Sequence, residues 1–193
     1  WSSAGLPIAL SIGSKKYLEF LEGARVVDEH FVSQDGLSNI PLLTALIGVW
    51  NYNFLHRHSL AILCYDQRLR LLPPYLQQLF MECNGKSVTR SGEECEYSTM
   101  PVVWGGQGTE GQHAYHQQLH QGTSPFAADF IAITDKKDPI SEHRNWLNAH
   151  AIAQSKVMSE GWNQKSNNES FKNIRGDHPH TNILMDQLGA SEL

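Results

Sequence analysis

The chain has 193 residues and a formal net charge of −5, from 15 basic and 20 acidic side chains. That length suits one substantial domain, and the acidic balance argues against a nucleic-acid partner, which needs clustered positive charge. With 40% hydrophobic residues and 15 dispersed glycines, the chain can bury a core and is neither disordered, collagen-like nor a small disulfide scaffold.

No membrane partner is expected. The longest nearly apolar stretch, Ile40 to Trp50, is interrupted by Thr44 and is too short to cross a bilayer. No basic segment precedes an apolar one at the start, so no signal peptide is visible. Cys64, Cys83 and Cys95 cannot all pair within the chain, and so sparse and odd a count fits a reducing compartment. The opening Trp1-Ser2-Ser3 and the close at Glu192-Leu193 both read as cuts through a longer protein.

In chain order, Ser14 is a candidate cap for a helix running to about Phe31. A second helix starts at Asn39-Ile40-Pro41, with proline in its first turn, and is apolar nearly all round through Trp50, which predicts deep burial. Leu60 to Tyr65 is a short apolar run of strand length. Pro73-Pro74 opens a helix through Glu82, closed by Asn84-Gly85. Pro101 to Trp104 reads as a buried strand ending at Gly105-Gly106. A helix follows from Gly111 or Gln112 to Gly122, then a strand from Phe126 to Thr134. A helix from about Ser141 to Ser159, a polar stretch through Asn168 and a last strand from Thr181 to Met185 complete the chain. Strands alternating with helices, and apolar throughout, predict an α/β fold with a doubly wound parallel sheet and helices on both faces. Trp50 and Trp104 are expected in the core, and Glu93-Glu94-Cys95-Glu96 in a solvated turn.

Three constellations carry chemistry. Glu82 falls in the last turn of its helix, where the helix dipole disfavours a carboxylate. Gln78 lies one turn earlier on the same face, beside apolar Leu76, Leu79 and Phe80. Such a carboxylate suits a general base with a raised pKa; the alternative is a surface glutamate paired with Lys86. The loop from Trp104 to His113 joins a strand to a helix through four glycines. That arrangement either admits an anionic or oxygen-rich ligand to backbone N–H groups, or is only a tight turn. His113, His116 and His120, spaced by three and four, resemble a zinc stripe on one helical face. They equally fit one acid or base at the helix start with two structural histidines. His56-Arg57-His58 and His178-Pro179-His180 read as loop histidines.

Six segments carry a resemblance: Gly5-Leu6-Pro7-Ile8-Ala9-Leu10-Ser11-Ile12-Gly13, Tyr75-Leu76-Gln77-Gln78, Met81 to Thr89, Trp104 to Tyr115, His120-Gln121-Gly122-Thr123 and Asp129-Phe130-Ile131. In this order and spacing they resemble the glucose-6-phosphate isomerase family across nearly the whole chain. The resemblance implies two sugar-isomerase domains of flavodoxin-like type. Residues 1–58 would be the end of the first domain with connecting helices, and 59–193 most of the second. It implies interconversion of glucose 6-phosphate and fructose 6-phosphate through a cis-enediol, without a metal or other cofactor, in the cytoplasm. Glu82 would be the base, Gln78 would line the substrate site, and His113 would assist ring opening in the partner subunit's site of a homodimer. The family's Ser/Thr-rich phosphate loop has no counterpart here. Glu110 and His150 stand where asparagine is usual, and Asp177-His178-Pro179-His180 replaces Asn-Arg-Pro-Ser/Thr. Two other function classes remain: a non-catalytic sugar-phosphate-binding module, and a metal-dependent hydrolase using the His113, His116 and His120 stripe.

Overall fold

Leu60, Ile62 and Cys64 alternate with Ala61, Leu63 and Tyr65 along one extended run, and both sets are apolar. Such a strand is stable only with both of its faces covered. A computed structural model, which describes residues 3–135, 141–163 and 170–193, has this arrangement. Strand β1 (Ser59–Cys64) lies inside a four-stranded, all-parallel sheet with β2 (Val102–Gln107), β3 (Ala127–Ile133) and β4 (His180–Met185), in the order β2-β1-β3-β4. On one face Ala61, Leu63, Tyr65, Ala128, Phe130 and Ala132 pack with Leu119, Ala151 and Met158. On the other, Ile62, Cys64, Val103, Ile131 and Ile133 pack with Leu69, Leu72, Leu76 and Phe80.

The crossovers supply these layers. Helix α4 (Leu72–Gln77) links β1 to β2 over the second face. Two short helices, α5 (Gly108–Ala114) and α6 (His116–Gln121), link β2 to β3, and α7 (Ser141–Glu160) links β3 to β4, with α6 and α7 over the first face. The chain winds one way from β1 to β2, then crosses back over β1 to β3. The sheet is therefore doubly wound, with its reversal between β1 and β3.

Ahead of the sheet stand α1 (Leu6–Ile12), α2 (Ser14–Ser33) and α3 (Ile40–Val49). Gly13, at φ +82°, turns the chain between α1 and α2, so Ser14 is the first residue of α2 and not its cap. Asn39 caps α3 through Leu42 N–H at 3.1 Å. Its Nδ2 donates to the carbonyls of Phe31 and Gln34, clamping α3 to the end of α2. Apolar α3 is not buried as its composition predicts: it has no buried residue, and Trp50 is 55% exposed. Its main contacts are with α2 and its own flanking turns, and among the described residues no layer covers its outer face. Trp104 does pack against the core, and its indole N–H donates to Ser59 Oγ at 2.9 Å.

Two further departures have local causes. Strand β2 runs on through Gly105 and Gly106, because Gly105 adopts φ +147° and a Cβ there would lie 2.0 Å from the Ile62 carbonyl oxygen. The helix expected from Gly111 to Gly122 breaks at Tyr115, whose φ of −141° separates α5 from α6. The expected polar stretch through Asn168 lies largely outside the described residues. Among the described residues no helix is long and apolar enough to cross a membrane.

Candidate active site

Helix α4 starts beyond the C-terminal end of β1 and runs back along the sheet, so its last residues reach the N-terminal edge. There it widens into a π-helical turn, Gln78–Glu82, a feature frequent at functional sites. The turn is anchored where Val103 N–H meets Met81 Sδ at 3.4 Å, at the start of β2. Gln78 Nε2 donates to Glu82 Oε2 at 3.2 Å, so the structure brings together this expected pair. Lys86 does not pair with the carboxylate; its Nζ donates to the Glu82 carbonyl at 2.6 Å. Asn84 Nδ2 and the Gly85 N–H satisfy the carbonyls of Phe80 and Met81. Glu82 is therefore held at a well-capped helix end, but it is exposed and not enclosed among Leu76, Leu79 and Phe80.

His113 stands elsewhere. It lies in the last turn of α5, which leaves the C-terminal end of β2, and is exposed. Gly108 and Gly111 are buried beneath tyrosines, the first against the Tyr65 ring and the second against the Tyr115 ring. Next to His113, Gln112 meets His150 of α7 at 3.3 Å, Nε2 to Nδ1. A six-residue strand spans about 20 Å. Glu82 sits by the first residues of β2 and His113 six residues past its last, so within one chain they occupy opposite edges of the sheet.

The zinc-stripe expectation fails on the break at Tyr115. His116 and His120 turn inward, where Gln154 Oε1 accepts from His116 Nδ1–H at 3.1 Å and His120 Nε2–H at 2.8 Å, while His113 points from a different helix. Among the described residues no group of three histidine, cysteine, aspartate or glutamate side chains is placed to hold a metal ion.

One cluster escaped the sequence reading. Asp66, just beyond β1, is almost fully buried and accepts from Arg144 of α7 at 2.6 Å and from Arg68 at 2.8 Å. Burial opposes its ionisation, but the hydrogen bonds from Arg68 and Arg144 outweigh that and hold the carboxyl at about 2. The pair floors a cavity of about 540 Å³ at the C-terminal edge, lined also by Gln107, Thr109, Glu110 and His143. Ligands of doubly wound sheets bind at this edge. Nearby Cys64 is no nucleophile, because burial pushes its thiol up to about 12. The sequence gives one local cue, an acidic residue straight after a buried strand; its partner in α7 is 78 residues away.

Known proteins match the chain end to end. The family model described as phosphoglucose isomerase covers residues 1–193. Glucose-6-phosphate isomerase from Hydrogenovibrio crunogenus is 44% identical over the whole chain, and that from Shewanella amazonensis 42%. The chain spans only 39% and 38% of those relatives, about two fifths of their length. Among solved structures, a glucose-6-phosphate isomerase from Chlamydia trachomatis superposes with a TM-score of 0.86 at 32% identity, over 97% of this chain and 37% of that one. A hypothetical protein from Thermus thermophilus, at TM-score 0.65 and 19% identity, shares the fold. With the doubly wound sheet, the Gln78–Glu82 turn and the glycine-rich loop before His113 all in place, the chain belongs to the phosphoglucose isomerase family.

Proposed function

We propose that this chain is the part of a cytoplasmic glucose-6-phosphate isomerase that supplies the base, and that residues 1–58 finish one sugar-isomerase domain while 59–193 form most of a second. The relatives' names and the whole-chain family match support this reading. The beginning of the sheet at Ser59 and the uncovered apolar faces of α1 to α3 support the division.

The isomerisation needs one proton moved between adjacent carbons. In the open-chain sugar, the Glu82 carboxylate takes the proton from C2 while the carbonyl oxygen O1 gains a proton, which gives a cis-enediol. The protonated Glu82 then returns the proton to C1 as the O2 hydroxyl gives up its own to form the ketone, and the reverse path runs through the same intermediate. Gln78, whose amide already donates to Oε2, keeps the carboxylate turned toward the substrate. Ring opening comes first. It requires a proton off the anomeric hydroxyl and one onto the ring oxygen, and His113 serves that exchange. These transfers use side chains alone, so the reading assigns no metal or other cofactor.

The observation that carries this reading to the assembly is the separation of Glu82 and His113 at opposite edges of one sheet. A homodimer that apposes the Glu82 edge of one subunit to the His113 helix of the other brings both to one substrate. The test mixes full-length chains carrying Glu82→Gln with chains carrying His113→Ala. Each parent alone should lose about 10²- to 10⁴-fold in turnover. After subunit exchange, each mixed dimer has one site with both lesions and one with neither, so fructose 6-phosphate production should reappear. No recovery after confirmed exchange would overturn the shared site. Normal turnover in the Glu82→Gln parent would overturn the base, and a wild-type chain that binds sugar phosphate without converting it would favour a binding module.

A further inference from the structure

Arg57 follows the π-helical turn at Trp50–Phe54 and precedes β1, with its backbone N–H bonded to the Asn51 carbonyl at 2.8 Å. Its Nη2 donates to the Asp177 carbonyl at 3.2 Å, across 120 residues of sequence. Its Nε–H is buried with no acceptor among the described residues. On the facing loop, His178 stacks on Phe126 with ring centroids 4.1 Å apart, and its backbone N–H bonds to the Met158 carbonyl. Its Nδ1 is likewise buried with no partner among the described residues. Both residues line a cavity of about 390 Å³ at the N-terminal edge, together with Leu55, Ser159, Asp177, Pro179 and His180.

Buried polar groups in native proteins find partners, and an orphaned one points to a bound water or ion. Here the two orphans belong to residues that line the same cavity, each donor lying just beneath its wall. Arg57 Nε–H can only donate. Burial lowers the His178 pKa, with Arg57 and Arg175 adding to the effect and Asp177 opposing it, so the ring is neutral and free to carry its proton on Nδ1. His180 cannot compete for a ligand: its Nδ1–H donates to the His178 carbonyl at 3.1 Å, and its Nε2 accepts from Ser155 Oγ–H at 2.9 Å. Two cations, Arg57 and Arg175, thus face His178 against one carboxylate, Asp177.

We propose that this cavity is a binding site for a small tetrahedral oxyanion, inorganic phosphate or the phosphate of a monoester, held between Arg57 Nε–H and His178 Nδ1–H. The site uses neither Glu82, Gln78 nor His113 and stands independently of the catalytic reading. One anion oxygen satisfies each donor, the guanidinium supplies the charge, and the volume exceeds what a phosphate group fills.

The test titrates the full-length polypeptide with inorganic phosphate by calorimetry, and in a second arm with glucose 6-phosphate. The wild type should show an Arg57-dependent class of phosphate sites, one per subunit. Arg57→Met, which keeps most of the aliphatic stem, should weaken that class by roughly tenfold or more, because a charged donor is lost. His178→Phe should weaken it less, and His178→Asn, which retains a donor, should recover part of the loss. Isomerisation kcat should not change in any of them. If glucose 6-phosphate but not inorganic phosphate fills the Arg57-dependent sites, the ligand is the monoester. Equal phosphate stoichiometry and affinity in the wild type, Arg57→Met and His178→Phe would leave the cavity to water and overturn the proposal. Should Arg57→Met fail to fold, the contrast between His178→Phe and His178→Asn decides alone.

Discussion

At the C-terminal edge of the sheet, Asp66 is enclosed by Arg68 and Arg144, and each of these charged groups has a partner within 3 Å. At the N-terminal edge, Arg57 and His178 carry donors into burial with no acceptor among the described residues, and Glu82 stands exposed beside Gln78. The first edge is internally complete and joins α7 to the end of β1. The second is open, and its polar groups wait on molecules from outside this chain. Both edges belong to one parallel sheet, so a perturbation of the Asp66 cluster should register as stability and a perturbation of the second edge as binding or turnover.

The strongest way to break that division is to open the closed edge. Removing one partner of a buried ion pair typically costs about 3–5 kcal/mol. With Arg68 still paired to Asp66, Arg144→Met in the full-length polypeptide should sit near the lower end, at about 3 kcal/mol by denaturant unfolding followed on the sheet amides. Adding Asp66→Asn should return part of the loss, because the uncompensated charge goes with it. The pH dependence has a definite direction. Asp66 is held at about 2 against an ordinary 3.8, so its contribution is complete above 3.8 and is lost as pH falls toward 2. An Arg144→Met variant within 0.5 kcal/mol of wild type, the range of ordinary surface substitutions, would show that the edge is not closed by this pair.

What the sequence discloses follows the same division. The buried strands β1 and β3 are legible because both faces of the sheet demand apolar residues, and a run such as Leu60 to Tyr65 has no other stable use. The Gln78–Glu82 pair is legible because one helical turn separates its members. Gly105 and Gly106 in β2 are not, since a strand through glycine there depends on the close approach of Ile62, over 40 residues away. The break at Tyr115 is not, because neither Tyr115 nor its neighbours are helix breakers. The exposure of α3 is not legible either, since its composition predicts a cover that the described residues do not supply. The Arg57–His178 site unites two segments that look like loops when read apart.

A smaller effect tests how the closed edge presents His113. The buried Gly108 opens α5, and a Cβ there would lie 2.2 Å from Cζ of Tyr65, whose ring is itself buried and stacked on Phe130. The Tyr65 ring is packed into the core and must shift to admit it. Gly108→Ala should therefore cost about 1–3 kcal/mol, the range for overpacking a core, by displacing α5 and its histidine. Because the displacement carries His113, turnover should fall as well, while the affinity of the Arg57 cavity for phosphate stays at its wild-type value. Loss of phosphate affinity in this variant would mean that the two edges are coupled and that their separation is wrong.

The smallest expected effect is a slope. His116 is almost fully buried, its Nδ1–H committed to Gln154 and its Nε2 buried without a partner among the described residues. Protonation would place an N–H where no acceptor stands among the described residues, and a positive charge beside the His120 ring, 5.6 Å away between ring centroids. Burial chiefly, with His120 adding, lowers the His116 pKa below its ordinary 6.5, and the Gln154 hydrogen bond only partly offsets this. A histidine held neutral when folded binds its proton more readily when unfolded, so stability is complete above 6.5 and declines as pH falls below it. His116→Asn keeps a donor toward Gln154 and removes the titration. Measured as melting temperature between pH 8 and pH 5.5, the wild type should lose stability more steeply on acidification than His116→Asn. Equal slopes would mean that the α6–α7 contact tolerates an imidazolium, and that the inner face of the sheet has a polar outlet which the geometry around Gln154 does not contain.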